Sequence, residues 1–225
     1  MGEGTFPGCI NTAGVIAGYY IDGAKVFHGF VRTANGTITA FDAPGAAATV
    51  AASIDTAGVI TGAWADAVVV VHGYVRAANG TITTFNAPGG GTKKGQGTAG
   101  KAINTSGAIA GAVSDSGSVS HGFLRSKTGS FTGFNAPGAG TGKSQGTNVQ
   151  AINTAGVIAG PYTDSAGVGH GYVRAANGTI TEFDAPGAGT GIHQGTFPQA
   201  INTAGSIIGY DLDSGSVFHA FVRTP

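Results

Sequence analysis

A short motif that begins with histidine recurs five times in this chain. It reads His, Gly or Ala, an aromatic residue, Val or Leu, then Arg, and it begins at His28, His72, His121, His170 and His219, at spacings of 44, 49, 49 and 49 residues. A second motif, Ile-Asn/Asp-Thr-Ala/Ser-Gly, begins at Ile10, Ile54, Ile103, Ile152 and Ile201 with the same spacings. A fixed period of about 20–50 residues is typical of folds built from one repeated supersecondary unit. We therefore predict one domain of five units, with bounds near 1–45, 46–89, 90–138, 139–187 and 188–225.

Turn signals divide each unit into four short strands. In the fourth unit they predict strands at about 147–152, 157–163, 168–174 and 179–183. The segments between these strands are Asn153-Thr154-Ala155-Gly156, Asp164-Ser165-Ala166-Gly167 and Asn177-Gly178. Asn and Gly are expected to supply the positive φ angles that tight hairpins need. Three successive hairpins predict an antiparallel meander.

The link from one meander to the next is longer and rich in Gly and Thr, as from Gly187 to Gln194. Such a link can carry the chain from the outer edge of one propeller blade to the inner edge of the next. The second strand is apolar on both faces, so both faces should be covered by neighbouring units. We predict an all-β fold, a five-bladed β-propeller of four-stranded antiparallel blades. A solenoid of parallel strands is the main alternative, but its repeats are usually shorter and lack successive hairpins.

The units differ at two places. The link between the first two units is five residues shorter than the others, and the last unit reaches Pro225 after its third strand. We therefore expect 19 strands, with the fourth strand of the last blade lacking. Either that blade has three strands or the chain is a piece of a longer array. An open strand edge exposes unpaired backbone groups, so we expect either modest stability or self-association through that edge.

The composition excludes several classes of partner. Eleven Lys and Arg balance eleven Asp and Glu, which gives no basic surface for nucleic acid. No run of 18 apolar residues is present, so no membrane insertion is expected. Cys9 is the only cysteine and cannot form an intrachain disulfide. The start, Met1-Gly2-Glu3-Gly4, lacks the basic and apolar regions of a signal peptide.

The repeat resembles the HAF-type extracellular repeat family of bacteria. The resemblance rests on His219-Ala220-Phe221, on His-Gly-Phe or His-Gly-Tyr in the other units, and on the Asn-x-x-Gly-x-Ile-x-Gly pattern of Asn202–Gly209. It implies an exported bacterial protein, located outside the cell or at the cell surface, and lends little more about function. The architecture is also similar in form to the five-bladed lectins of the tachylectin type, although a fold does not fix a function.

An Asp-x5-His-x3-Arg pattern occurs in every unit. Its members are Asp22, His28 and Arg32; Asp66, His72 and Arg76; Asp115, His121 and Arg125; Asp164, His170 and Arg174; and Asp213, His219 and Arg223. One interpretation is five identical binding sites. The favoured interpretation is a structural network that joins strands or blades, because a ring repeats the same contact and a packed Arg needs a partner. Two residues that flank a hairpin supply at most two metal ligands, so no metal and no cofactor are expected.

Residues that vary between units are the candidates for ligand binding. Aromatic residues follow the second-strand glycine at Tyr20, Trp64, Tyr162 and Tyr210, with Val113 in the third unit. A sugar has an apolar face and hydroxyls, which suits an exposed aromatic ring near polar groups, but these rings could instead pack between blades. Gln96, Gln145 and Gln194 form the other variable polar surface.

No catalytic arrangement occurs once in the chain. The segment Gly138–Ser144 resembles a phosphate-binding loop, but Pro137 stands where that loop requires glycine and no helix follows. We therefore predict that the protein is not an enzyme. The leading hypothesis is a multivalent, lectin-like module that binds glycans or cell-surface components, and the alternative is a structural or protein-interaction domain with no small ligand.

Overall fold

A computed structural model describes residues 3–225, and every regular element among them is a β-strand. Units 1 to 3 contain β1 (Gly4–Ile10), β2 (Ile16–Ile21), β3 (Phe27–Arg32), β4 (Ile38–Phe41), β5 (Ala48–Ile54), β6 (Ile60–Ala65), β7 (Val71–Arg76), β8 (Ile82–Phe85), β9 (Gly97–Ile103), β10 (Ile109–Ser114), β11 (Ser120–Arg125) and β12 (Phe131–Phe134). Unit 4 contains β13 (Gly146–Thr147), β14 (Ala151–Ile152), β15 (Ile158–Thr163), β16 (Gly169–Arg174) and β17 (Ile180–Phe183). Unit 5 contains β18 (Gly195–Ile201), β19 (Ile207–Leu212) and β20 (Phe218–Arg223). The all-β, repeated-strand prediction is confirmed.

Each unit is an antiparallel meander in which consecutive strands pair. The described residues form 20 strands where 19 were expected, because the first strand of unit 4 is divided into β13 and β14. Pro161 lies opposite the division and has no N–H to donate to the carbonyl of Asn148. That carbonyl instead accepts the hydroxyl of Tyr172 at 2.8 Å. The extra strand is therefore one interrupted strand and not a new element.

The hairpins of a unit share one turn geometry, seen clearly at Asn153. The N–H of Gly156 donates to the carbonyl of Asn153 at 3.0 Å, and Gly156 has a φ of 81°. The side-chain Oδ1 of Asn153 accepts the N–H groups of Ala155 and Val157, both at 3.0 Å. The expectation that Asn also takes a positive φ was wrong, because its contribution is the side-chain acceptor.

The apolar core lies between consecutive units. One cluster joins Ala17 of unit 1 to Ile60 and Tyr74 of unit 2, and similar clusters join unit 2 to unit 3 and unit 3 to unit 4. The second residue of the second strand faces the following unit. It is fully buried in units 1 to 4 (Ala17, Thr61, Ala110 and Ala159), whereas Ile208 of unit 5 is 54% exposed.

The face of unit 1 that points away from unit 2 is likewise uncovered. The first-strand isoleucine faces the preceding unit and is buried at Ile54 and Ile103. Its counterpart Ile10 is 66% exposed. Units 1 and 5 therefore each present half of an interface that consecutive units make inside the chain.

The turns after the five first strands meet at one place. They line a common cavity of about 410 Å³ with the Ile-Asn/Asp-Thr residues of every unit. The amide Nδ2 of Asn104 donates to the carbonyl of Asn153 at 3.2 Å, and Asn153 repeats this bond to Asn202 at 3.1 Å. Asn11 makes the same bond to Asp55 at 3.1 Å. The first strands thus share one side of the array, the side that faces this cavity.

The long links attach each unit to the next by a single parallel strand contact. Val71 pairs with Gly97, Ser120 with Gly146, and Gly169 with Gly195. These contacts join units 2 to 5 into one 16-stranded sheet, while β1 to β4 form a sheet of their own. The shorter first link lacks the Gln-Gly pair that makes this contact in the other links, so unit 1 lies outside the larger sheet.

Candidate functional site

The repeated histidine sits between two polar side chains in units 1 to 4. In unit 1, His28 Nδ1 lies 2.9 Å from an Asp42 oxygen and His28 Nε2 lies 3.3 Å from Asp22 Oδ2. The Nδ1 partner stands 14 residues after each histidine, where the fourth strand ends, and is Asp42, Asn86, Asn135 or Asp184. We call this arrangement of histidine, hairpin Asp and following Asp or Asn the cup of a unit.

The sequence reasoning missed the second partner of the cup. Its signal was present, because Phe-Asp/Asn-Ala-Pro-Gly closes each of the first four units. Unit 5 has three strands, and there His219 meets only Asp213, at 3.0 Å.

The hairpin carboxylates of the cups are held in their charged form. The pKa of Asp115 is lowered first by the N–H of Val119 and then by His121. The pKa of His28 is raised, chiefly by its hydrogen bond to Asp42 and also by Asp22. The cups of units 1 and 4 have two carboxylates, whereas those of units 2 and 3 have one carboxylate and one amide.

The arginines of the expected Asp-His-Arg network lie apart from the Asp–His pairs. Four of the five stack on a phenylalanine of the preceding unit, as Arg125 does on Phe85 with 4.9 Å from guanidinium carbon to ring centroid. The other pairs are Arg76 on Phe41, Arg174 on Phe134 and Arg223 on Phe183. The pattern therefore divides into a polar cup within a unit and a cation–π contact between units.

Three of the four predicted aromatic residues pack on the histidines. Tyr20 stacks on His28, Trp64 on His72 and Tyr162 on His170, with ring centroids 5.0, 4.3 and 4.9 Å apart. Tyr20 and Trp64 are half-buried, and Tyr162 is buried. The structure brings these rings to the cups and leaves part of two of them open to solvent.

Tyr210 lies on the other face of its sheet, although the sequence grouped it with these rings. It stacks on Phe197 with ring centroids 5.2 Å apart. Tyr210 follows its glycine by one residue and not by two. Successive residues of a strand point to opposite faces, so Asp211 occupies the position that Tyr162 has in unit 4.

The three predicted glutamines form hydrogen bonds inside their units. Gln96 is buried, accepts the N–H of Lys93 at 3.1 Å and donates to the carbonyl of Ser116 at 3.0 Å. Gln145 and Gln194 make the same pair of bonds, to Gly142 and Ser165 and to Gly191 and Ser214. Their amides tie the link to the hairpin between the second and third strands.

No protein-family model matches the chain, and no curated protein matches it by sequence. Among residues 3–225, no group of three or more His, Cys, Asp or Glu side chains is arranged to hold a metal ion. The same residues contain no helix of the length and apolarity that crossing a membrane requires.

Proposed function

We propose that the chain is a non-catalytic, multivalent binding module that acts outside the cell on glycans, and that its five units are the blades of a five-bladed β-propeller. The propeller proposal is supported by the common cavity at the first-strand turns and by the apolar packing between consecutive units. Closure of the ring would bring Ile208 of unit 5 against the face of unit 1 that carries Ile10. Both side chains are exposed in the open arrangement.

Distances between spin labels test the closure. Ala24, Val68 and Gly215 occupy equivalent hairpin positions in units 1, 2 and 5. In a Cys9→Ser background, we expect a label pair at 24 and 215 to give the same distance as a pair at 24 and 68. A much longer distance between positions 24 and 215 would contradict a closed ring of five units.

The recurrence of the cup carries the glycan proposal. Asp42 and Asp184 keep 47% and 53% of their side chains exposed while they hold their histidines. Both oxygens of each carboxylate lie near the histidine Nδ1, and their remaining lone pairs can accept hydrogen bonds from sugar hydroxyls. In units 1 and 2 the half-buried rings of Tyr20 and Trp64 lie beside the cup and offer an apolar edge. Several weak and similar sites on one chain gain affinity for a multivalent ligand through avidity.

A glycan array followed by calorimetry tests this function. We expect binding of glycans with about four sites per chain, because four cups have both partners. Replacing Asp42 and Asp184 by Ala should remove two of them. Glu3→Gln is the matched control, since Glu3 is an exposed carboxylate that pairs with Lys25 outside the cups. An array with no response from a folded chain would refute the glycan proposal.

The alternative is a structural or protein-interaction repeat domain without a small ligand. It is favoured by the internal hydrogen bonds of Gln96, Gln145 and Gln194, which leave little of these amides for a ligand. Under this alternative, replacing Trp64 and Tyr162 would lower the free energy of unfolding and change no binding.

A further inference from the structure

The junction between units 2 and 3 contains a cavity of about 570 Å³. Its apolar walls include Val113, Phe131 and Phe134, and its polar wall is formed by the unit-3 cup of Asp115, His121 and Asn135. Ligand sites of small molecules commonly have volumes of about 300–1,000 Å³, with mostly apolar walls and a few placed polar groups. This cavity has both properties.

Two small residues of unit 3 open the cavity. Val113 stands where units 1, 2 and 4 have Tyr20, Trp64 and Tyr162, so no aromatic ring covers His121. Gly133 stands where unit 4 has Glu182, and a Cβ added to Gly133 would meet nothing closer than 4.0 Å. The space is therefore available on both sides of the cup.

The junction between units 3 and 4 shows the same place filled. Glu182 accepts the N–H of Gly138 at 2.6 Å, and a Cβ added to Gly138 would lie 2.8 Å from the hydroxyl of Tyr162. At the equivalent Gly89, an added Cβ would meet nothing within 4 Å. The His121 side chain is 34% exposed, compared with 22% for His170 under the ring of Tyr162.

We propose that the cavity between units 2 and 3 is a ligand site, one per chain, for a single pyranose ring. A pyranose presents C–H groups on one face for Phe131 and Phe134 and several hydroxyls for the polar wall. The Asp115 carboxylate can accept from hydroxyls and the Asn135 amide nitrogen can donate to them, while both ring nitrogens of His121 are occupied by these two side chains. A phenol has one hydroxyl and would leave part of this wall without partners, which costs affinity.

The proposal rests on the proposed glycan function for its ligand class, but it predicts a different number of sites and a different affinity. The cups alone predict about four similar weak sites, whereas the cavity encloses the sugar at one of them. Binding should therefore resolve into one tighter site and a weaker set.

Substitutions that give unit 3 the larger side chains of the other units test the proposal. The probes are methyl glycosides of glucose, galactose and N-acetylglucosamine, followed by calorimetry and by amide shifts in NMR spectra. We expect one probe to bind with a stoichiometry of one at the tighter site, and Val113→Tyr or Gly133→Glu to weaken that binding at least tenfold. Both changes introduce residues that sibling units accommodate, so the variants should fold.

The reciprocal change is the matched control. Tyr162→Val combined with Glu182→Gly should open the same space between units 3 and 4 and raise the number of tight sites from one to two. Unchanged binding in the Val113→Tyr and Gly133→Glu variants, or no binding of any probe, would overturn the proposal. Phenol binding as tightly as the glycosides would overturn the pyranose assignment. If the tight binding depended on Val113 but the Asp42 and Asp184 substitutions changed no binding, only the multivalent function would be refuted and the cavity proposal would stand.

Discussion

The contact between Arg125 and Phe85 should stabilise the junction of units 2 and 3. The guanidinium of Arg125 lies 4.9 Å from the centroid of the buried Phe85 ring and 6.0 Å from that of Phe131. Partial burial of the guanidinium lowers the pKa of Arg125. A cation–π contact is worth about 0.5–1 kcal/mol at an exposed site and about 2 kcal/mol when desolvated. We therefore expect a coupling free energy of about 1–1.5 kcal/mol.

The complete cost of Arg125→Ala should be larger, about 1.5–3 kcal/mol, since the substitution also removes the apolar stem of a half-buried side chain. The substitution further removes a hydrogen bond from Nη1 to the carbonyl of Ser126 at 3.3 Å. Arg32 is the internal control. Within residues 3–225, no phenylalanine lies under its guanidinium. Arg32→Ala should therefore cost less than about 0.5 kcal/mol.

A double-mutant cycle of Arg125→Ala and Phe85→Leu measures the coupling. Urea unfolding can be followed by the fluorescence of Trp64, the only tryptophan of the chain, and by far-UV circular dichroism. Agreement of the two signals establishes a single transition, which repeat arrays do not always have. A coupling below about 0.3 kcal/mol, or an equal cost for Arg32→Ala and Arg125→Ala, would refute the assignment of the arginines to the unit junctions.

Three further predictions concern the turns and the cups. Val69 has a φ of 65° at the position where unit 4 has Gly167. Val69→Gly should therefore raise the free energy of unfolding in urea by about 0.5–1 kcal/mol, because a β-branched residue is strained at positive φ. A lower free energy of unfolding in this variant would contradict the strain at that turn. Asp55→Asn should add the hydrogen bond that the side-chain amides of Asn104 and Asn153 donate to the next unit, and it should raise the melting temperature. Asn153→Asp should lower the melting temperature. The pKa of His28 is raised above its usual value of 6.5, so its stabilising contribution is full below about pH 6.5 and is lost as the pH rises through the folded pKa. The cost of His28→Gln in urea should therefore be greater at pH 5.5 than at pH 8.5, and an equal cost would argue against a charged His28.

Local sequence signals predicted the parts of each unit well. Asn or Asp followed by Gly located the hairpins, since the acceptor and the positive-φ residue act within four positions, as at Asn153 and Gly156. The contacts between units were harder to predict. Phe85 precedes Arg125 by 40 residues, and nothing in the spacing says that one lies over the other. The packing of consecutive meanders decides such pairs.

The cavity could not be predicted from the sequence for a related reason. Val113 departs from the aromatic pattern in the sequence, and Gly133 is one of 42 glycines. Small residues produce an open space only when the neighbouring unit, here with Pro88 and Gly89, supplies the opposite wall. A sequence shows which side chains are present, whereas a cavity depends on where large side chains are missing from two packed surfaces.

The first link has a mechanical consequence. Units 2 to 5 are connected through backbone hydrogen bonds between successive units, such as that from the N–H of Val71 to the carbonyl of Gln96 at 2.8 Å. Unit 1 is held to unit 2 by side-chain packing, including Arg76 on Phe41, and by two hydrogen bonds that each involve a side chain. These run from Asn11 Nδ2 to the carbonyl of Asp55 and from the N–H of Ala43 to Thr49 Oγ1, both at 3.1 Å. A pulling force applied at the two termini would therefore meet its weakest joint between units 1 and 2. Unit 1 should detach first as an intact meander, and the four-unit remainder should yield only at a higher force.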